Sequence, residues 1–164
     1  SSLPIGFNQT ISQPYTVAKQ TELLEIKKSD KVMEIGTGSG YQSAILKVLG
    51  AHVYSIETIE ELHHSAKKLF KKLGLEVNCV LGDGSNGLPD AAPFDKIIMT
   101  AAAPRLMKSL ANQLKINGLL VAPVGDRDVQ KMILVKRDDD NSYTETTHGD
   151  FNFVPLTGTY GWSS

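Results

Sequence analysis

Lys31-Val32-Met33-Glu34-Ile35-Gly36-Thr37-Gly38-Ser39-Gly40-Tyr41 is the stretch on which the reading of this chain turns. Its first half is apolar and β-favouring and predicts a strand over 31–35. That strand runs straight into Gly36-x-Gly38-x-Gly40, and a helical apolar pattern follows over about 41–49, stopped by Gly50. Glycines let the backbone turn sharply and bring a ligand close to main-chain N–H groups. The next helix adds unpaired N–H donors and the positive end of its dipole. Strand, loop and helix together predict a site for a nucleotide-like molecule, at the carboxyl end of a strand in an open α/β sheet.

The spacing narrows the ligand. The dinucleotide fingerprint places its third glycine three residues after the second; here the interval is two, and bulky Tyr41 follows. NAD therefore fits poorly. A carboxylate at Glu34, directed into the loop, disfavours a pyrophosphate and favours a ligand with positive charge. S-adenosylmethionine carries both an ammonium and a sulfonium. Val53 to Glu57 predicts a second strand (52–56) ending in an acid, roughly twenty residues beyond Gly36, where a ribose-binding carboxylate is expected. Val77 to Leu81 predicts a third strand (76–81), leading to Gly82-Asp83-Gly84, where Asp83 can accept a hydrogen bond from an exocyclic amine such as that of adenine. Each acid alone reads as well as a solvated strand end; three on one sheet edge point to a site. Tyr41 reads either as core or as leaning on the cofactor.

Beyond these elements, Ser12 and Pro14 mark the start of a helix running to about Ile26, and a helix over about 58–73 ends at Gly74. A Gly-, Asn- and Pro-rich loop spans 82–93, Phe94 to Thr100 reads as a fourth strand, and Pro104 is expected to open a helix to about Leu114. Asn117-Gly118 reads as a turn into a fifth strand, Leu119 to Pro123. Lys131 to Arg137 and Tyr143 to Val154, split by Asp138-Asp139-Asp140-Asn141, predict an antiparallel hairpin. The expected architecture is α/β: a doubly wound, mostly parallel sheet with helices on both faces and a C-terminal antiparallel strand pair.

At 164 residues the chain suits one domain, 1–164, with one substantial core. No run reaches the roughly 18 apolar residues a membrane span needs, and no secretory signal is visible, so a cytoplasmic protein that does not enter membranes is expected. The single Cys79 rules out an internal disulfide framework and reads as a small buried apolar residue. With net charge −1, the chain shows no nucleic-acid footprint. Lys67-Lys68-Leu69-Phe70-Lys71-Lys72 reads as the solvated face of a helix. His52, His63, His64 and His148 lack ligand spacing with cysteines or acids, so no metal is expected. A monomer is expected.

Five segments carry a family resemblance: Gln9-Thr10-Ile11-Ser12-Gln13-Pro14, Glu34 to Tyr41, Gly82-Asp83-Gly84, Pro93-Phe94-Asp95 with Thr100-Ala101-Ala102, and Val154-Pro155-Leu156-Thr157. In these the chain resembles the protein-L-isoaspartate O-methyltransferases, a class I S-adenosylmethionine-dependent family, from about Ile5 to Gly158. Two features depart from that family. Its members carry several tens of largely helical residues before the Gln-Thr-Ile-Ser segment, where eight precede Gln9 here, so part of the wall over the substrate cleft is expected to be absent. Phe7-Asn8-Gln9-Thr10 also stands where members tend to have His-Gly-Gln-Thr.

The resemblance implies transfer of a methyl group from S-adenosylmethionine to the free α-carboxylate of L-isoaspartyl residues in damaged proteins and peptides, leaving S-adenosylhomocysteine. It implies Ser12 as the active-site residue. Cofactor contacts would come from Glu34, Gly36, Thr37, Gly38, Gly40, Tyr41, Glu57, Asp83, Gly84, Thr100 and Ala101. Substrate contacts would come from Thr10, Ile11, Ser12, Val154, Leu156 and Thr157. Separately, the β-rich tail suggests that Phe151, Phe153 and Val154 pair with an extended peptide. Read without the resemblance, Ser12 is a helix N-cap, Thr100-Ala101 is tight packing and Thr157 is a loop hydroxyl; N-cap and substrate contact are compatible at Ser12. The rivals are a class I methyltransferase acting on a small molecule, a cofactor-binding relative without activity, and an NAD-dependent dehydrogenase.

Overall fold

The computed structural model describes residues 3–6, 9–11 and 14–151, with side chains from residue 15 onward. Two short strands, β1 (Leu3–Gly6) and β2 (Gln9–Ile11), pair antiparallel with a register irregularity at Gly6, an element the sequence reading lacks. Helix α1 (Pro14–Leu24) follows. A seven-stranded sheet then forms from β3 (Lys31–Ile35), β4 (His52–Glu57), β5 (Val77–Leu81), β6 (Phe94–Met99), β7 (Leu114–Gly125), β8 (Gln130–Arg137) and β9 (Tyr143–Phe151), in the order β5-β4-β3-β6-β7-β8-β9. Strands β3 to β7 run parallel to their neighbours; β8 and β9 add antiparallel. The expected sheet and its terminal hairpin are both present.

Helices α2 (Tyr41–Val48) and α3 (Glu60–Leu73) connect β3 to β4 and β4 to β5. Leu24 of α1 and Leu46 of α2 pack with Val32, Val53, Ile98 and Val121 on one face of the sheet. On the other face Met33, Ile35, Ile56, Ile97 and Leu120 meet Leu110 of the short helix α4 (Lys108–Ala111) and Met107, its N-cap. Parallel strands covered on both faces are apolar at nearly every position, which is why Lys31–Ile35 and Phe94–Met99 read as continuous runs. In α3, Leu62, His63, Ala66 and Phe70 face inward while Lys67, Lys68, Lys71 and Lys72 are exposed. Gly74, at φ 68, caps it: its N–H donates to Lys71 O at 3.2 Å and that of Leu75 to Phe70 O at 2.9 Å.

Two expectations are corrected. The helix from Pro104 to Leu114 is realised only over Lys108–Ala111. Its expected first turn is pulled away by the sheet: Ala103 bridges Val124, donating to Pro123 O and accepting from Gly125 N, both at 3.0 Å. At its end Leu114 already pairs with Phe94. The Asn117-Gly118 turn is instead an irregularity within one long strand, β7. Asn117 takes φ 68, and a Cβ on Gly118 would lie 2.8 Å from Lys115 O and 3.0 Å from Asp95 O. The pairing with β6 shifts there without ending the strand.

Long-range polar contacts fix α1 against the sheet. Lys96 of β6, buried, donates from Nζ to Leu24 O (2.7 Å) and Glu25 O (3.3 Å), with Asp30 Oδ2 at 3.8 Å. It thereby satisfies carbonyls left open where α1 ends. Gln20, also buried, donates to Met99 O at 2.9 Å.

Candidate active site

Because β3, β4, β5 and β6 are parallel neighbours, their carboxyl ends lie side by side. Ile35 is level with Ile56 and Met99, and Glu57 with Leu81. Gly36, Glu57, Gly82-Asp83 and Thr100 therefore occupy one sheet edge, with neighbouring strands about 4.8 Å apart. The loop leaves β3 in conformations suited to glycine: φ is 101 at Gly36, 53 at Gly38 and 88 at Gly40. A Cβ on Gly36 would lie 2.4 Å from Thr100 Oγ1, and one on Gly84 2.7 Å from Ile35 Cγ2. Thr100 closes the turn, donating through N and Oγ1 to Ile35 O (3.0 Å each) and through Oγ1 to Gly36 O (2.5 Å). Gly40 is the N-cap of α2, so the first turn of that helix opens at the loop.

Each carboxylate serves the loop differently. Glu57 accepts from Gly38 N at 2.8 Å and from Ile59 N at 3.0 Å, tying β4 to the glycine loop and to the start of α3. A carboxylate has about four acceptor positions, so two remain for hydroxyl donors. Asp83 accepts from Ser85 N (3.0 Å), Ser85 Oγ (2.6 Å) and Asn86 Nδ2 (3.1 Å), capping the 3₁₀ turn Gly84–Asn86. Glu34 is fully buried. Its Oε1 accepts from Ser55 Oγ at 2.5 Å and from Ser43 Oγ, and Ser55 Oγ also shares a 2.6 Å bond with Thr37 Oγ1. Burial raises the Glu34 carboxyl from its ordinary value to about 7; the Ser43 and Ser55 hydrogen bonds pull it back down, and the Glu57 charge adds to the rise.

Among the expected site residues, Gly36, Thr37, Gly38, Gly40, Glu57, Asp83, Gly84, Thr100 and Ala101 come to this edge. Glu34 lies beneath the loop, on the face toward α2. Tyr41 is 45% exposed at the start of α2, which removes the core reading. Thr10 and Ile11 belong to β2. Ser12, Phe153, Val154, Leu156 and Thr157 lie outside the described residues. Sequence reasoning missed Ser43 and Ser55, both fully buried. A signal existed for Ser55: it shares a strand face with Val53 and Glu57, where an apolar residue would be expected. Cys79 on β5 is partly buried, and burial pushes its thiol up. Among the described residues no group of three His, Cys, Asp or Glu side chains is placed to hold a metal ion, and no helix is long and apolar enough to cross a membrane.

A mostly parallel sheet, a glycine loop after the inner strand β3, and acids at the end of β4 and just past the end of β5 define a class I methyltransferase. Solved structures agree: a protein-L-isoaspartate O-methyltransferase superposes with TM-score 0.87 at 28% identity, over 98% of this chain and 53% of its own length. A structure from Plasmodium falciparum in complex with S-adenosyl-L-homocysteine superposes with TM-score 0.82 at 20% identity, over 95% of this chain and 79% of that one. The sequence goes further. Residues 1–161 match the family described as protein-L-isoaspartate(D-aspartate) O-methyltransferase, and the chain belongs to that family. Similar proteins include the protein-L-isoaspartate O-methyltransferases of Flavobacterium psychrophilum, 56% identical over 156 residues, and Chlorobium phaeobacteroides, 52% identical over 160. These matches cover 94% and 97% of this chain, and 73% and 74% of those proteins.

Proposed function

We propose that this chain methylates the free α-carboxylate of L-isoaspartyl residues in damaged proteins and peptides, with S-adenosylmethionine as the methyl donor. The observation carrying the reading is family membership over 1–161, joined to a sheet edge whose residues suit that cofactor. A Cβ on Gly36 or Gly84 would collide with Thr100 Oγ1 or Ile35 Cγ2, so these glycines let the loop and the turn after β5 pack close on the strand ends. Gly40 opens the first turn of α2 at the loop, Glu57 keeps acceptor positions for hydroxyls, and buried Glu34 has an oxygen, Oε2, without a hydrogen-bond partner among the described residues.

In this reading the loop Gly36 to Gly40, Tyr41 and the first turn of α2 hold the methionine part, Glu57 takes the ribose hydroxyls, and Asp83 with Gly84 meets the adenine. Glu34 and Thr37 support the loop from below, and Thr100-Ala101 faces the reacting centre. When bound, S-adenosylmethionine supplies a methyl group on a sulfonium, an electrophile already activated. The acceptor carboxylate is ionised at pH 7 and needs no general base. The protein's part is then to align the two and keep water from them. Ser12 and Thr157 would hold the carboxylate through their hydroxyls without protonating it, with Thr10, Ile11, Val154 and Leu156 completing the substrate side. Methyl-ester formation makes a better leaving group, so the succinimide re-forms and can reopen to normal aspartate.

The test is transfer of labelled methyl from S-adenosylmethionine to an isoaspartyl peptide, with the matching aspartyl peptide as control. Label on the isoaspartyl peptide alone, reduced at least tenfold by Ser12→Ala, is the expected result. No label despite cofactor binding would count against the reading for this chain.

A further inference from the structure

Glu34 has an uneven supply of hydrogen bonds. A buried carboxylate is tolerated when donors reach its charge, yet here both donors, Ser43 Oγ and Ser55 Oγ, converge on Oε1. Oε2 is enclosed and meets no partner among the described residues. Among the described residues, its neighbours include no cation that offsets its charge. Around it α2 contributes Ser43, β4 contributes Ser55 and Glu57, and the loop contributes Thr37; Glu57 repels it, and Cys79 on β5 feels its charge as a repulsion too. An acid is thus held where its own charge is unwelcome, next to a loop that would receive a cation. Ser55 joins the two, bonding Glu34 on one side and Thr37 of the loop on the other.

We infer that Glu34 is a proton-coupled positioning residue: it carries a proton while the loop is free of ligand and releases it when a cationic cofactor binds, so capture of S-adenosylmethionine expels a proton to solvent. The balance is simple. The Glu34 O–H bond breaks, the proton passes to buffer, and the carboxylate remains opposite the cofactor's positive charge. Ser43 and Ser55 hold the carboxyl in place, and the Ser55–Thr37 bond conveys its state to the glycine loop. This rests on the reading of residues 36–40 as the S-adenosylmethionine loop.

The test is titration calorimetry of S-adenosylmethionine into the protein at pH 6, 7 and 8, each in phosphate and in Tris. These buffers differ widely in ionisation heat, so the difference counts protons. The ligand's own amino group titrates near neutrality but identically for wild type and Glu34→Gln. Relative to that variant, wild type should release roughly half a proton more at pH 7 and lose roughly tenfold more affinity between pH 8 and pH 6. If the variant does not fold, the wild-type count, corrected by the free ligand's own titration, decides alone. Ser55→Ala, which removes a donor to the ionised form, should move the transition to higher pH. Binding with no proton release beyond the ligand's own would overturn the inference. No binding at any pH would overturn it together with the cofactor reading, and the missing heat would identify that reading as the one at fault.

Discussion

At Glu34 burial and hydrogen bonding pull in opposite directions, and burial wins, lifting the carboxyl from 4.5 to about 7. The folded state therefore holds more protons than the unfolded chain between those values, and the stability of the ligand-free protein should fall as pH rises through that window. Glu34→Gln removes the dependence. It should be more stable than wild type at pH 8, by at most about 3 kcal/mol, with the gap shrinking toward pH 5. Urea unfolding at both pH values checks this; a gap that does not change with pH would refute it. Gly36 offers a second test at the same scale. With φ at 101 and Thr100 Oγ1 2.4 Å from the position of a Cβ, Gly36→Ala should cost roughly 1–3 kcal/mol and weaken S-adenosylmethionine binding at least tenfold. Gly82→Ala, with nothing within 4 Å of its Cβ, should change stability by less than about 0.5 kcal/mol. Gly36, Glu57 and Asp83 were legible in the sequence because glycines and acids are out of place at the ends of apolar strands. Ser43 was not, because a serine in a helix looks like surface until its partner, nine residues away, is seen to be a buried carboxyl.

Elements show where local signals lose to tertiary ones. Strands β3, β4, β5 and β6 match their expected spans to within a residue or two, because apolar runs bounded by polar and glycine residues leave few alternatives. Helix α4 did not, because the Ala103–Val124 bridge keeps its expected first turn extended. Strand β7 was legible only in its second half, since Asn117-Gly118 carries the signature of a turn but here makes a bulge. The end of α1 likewise depends on a residue far along the chain. Lys96→Met removes the ammonium bonded to Leu24 O and Glu25 O, and should destabilise by about 1–3 kcal/mol in urea unfolding while leaving the sheet intact. An unchanged midpoint would mean that water replaces Lys96 at no cost.

Across the whole molecule, the parallel order β5-β4-β3-β6-β7 carries the functional argument, because it sets residues as far apart in sequence as Gly36 and Thr100 within hydrogen-bonding distance. A ligand bound across that edge ties four strand ends together, so saturating S-adenosylhomocysteine should raise the melting temperature by several degrees where NAD does not. The topology was readable from alternating strands and helices; the β1–β2 pair was not, since three- and four-residue strands leave almost no periodicity. The most direct test of the central claim follows the substrate itself. An L-isoaspartyl peptide incubated with the protein and S-adenosylmethionine is resolved over time from its L-aspartyl isomer by chromatography. Growth of the aspartyl isomer, dependent on both protein and cofactor, is the predicted result; an isoaspartyl peptide that stays unmethylated and unconverted while the protein binds S-adenosylmethionine would contradict it.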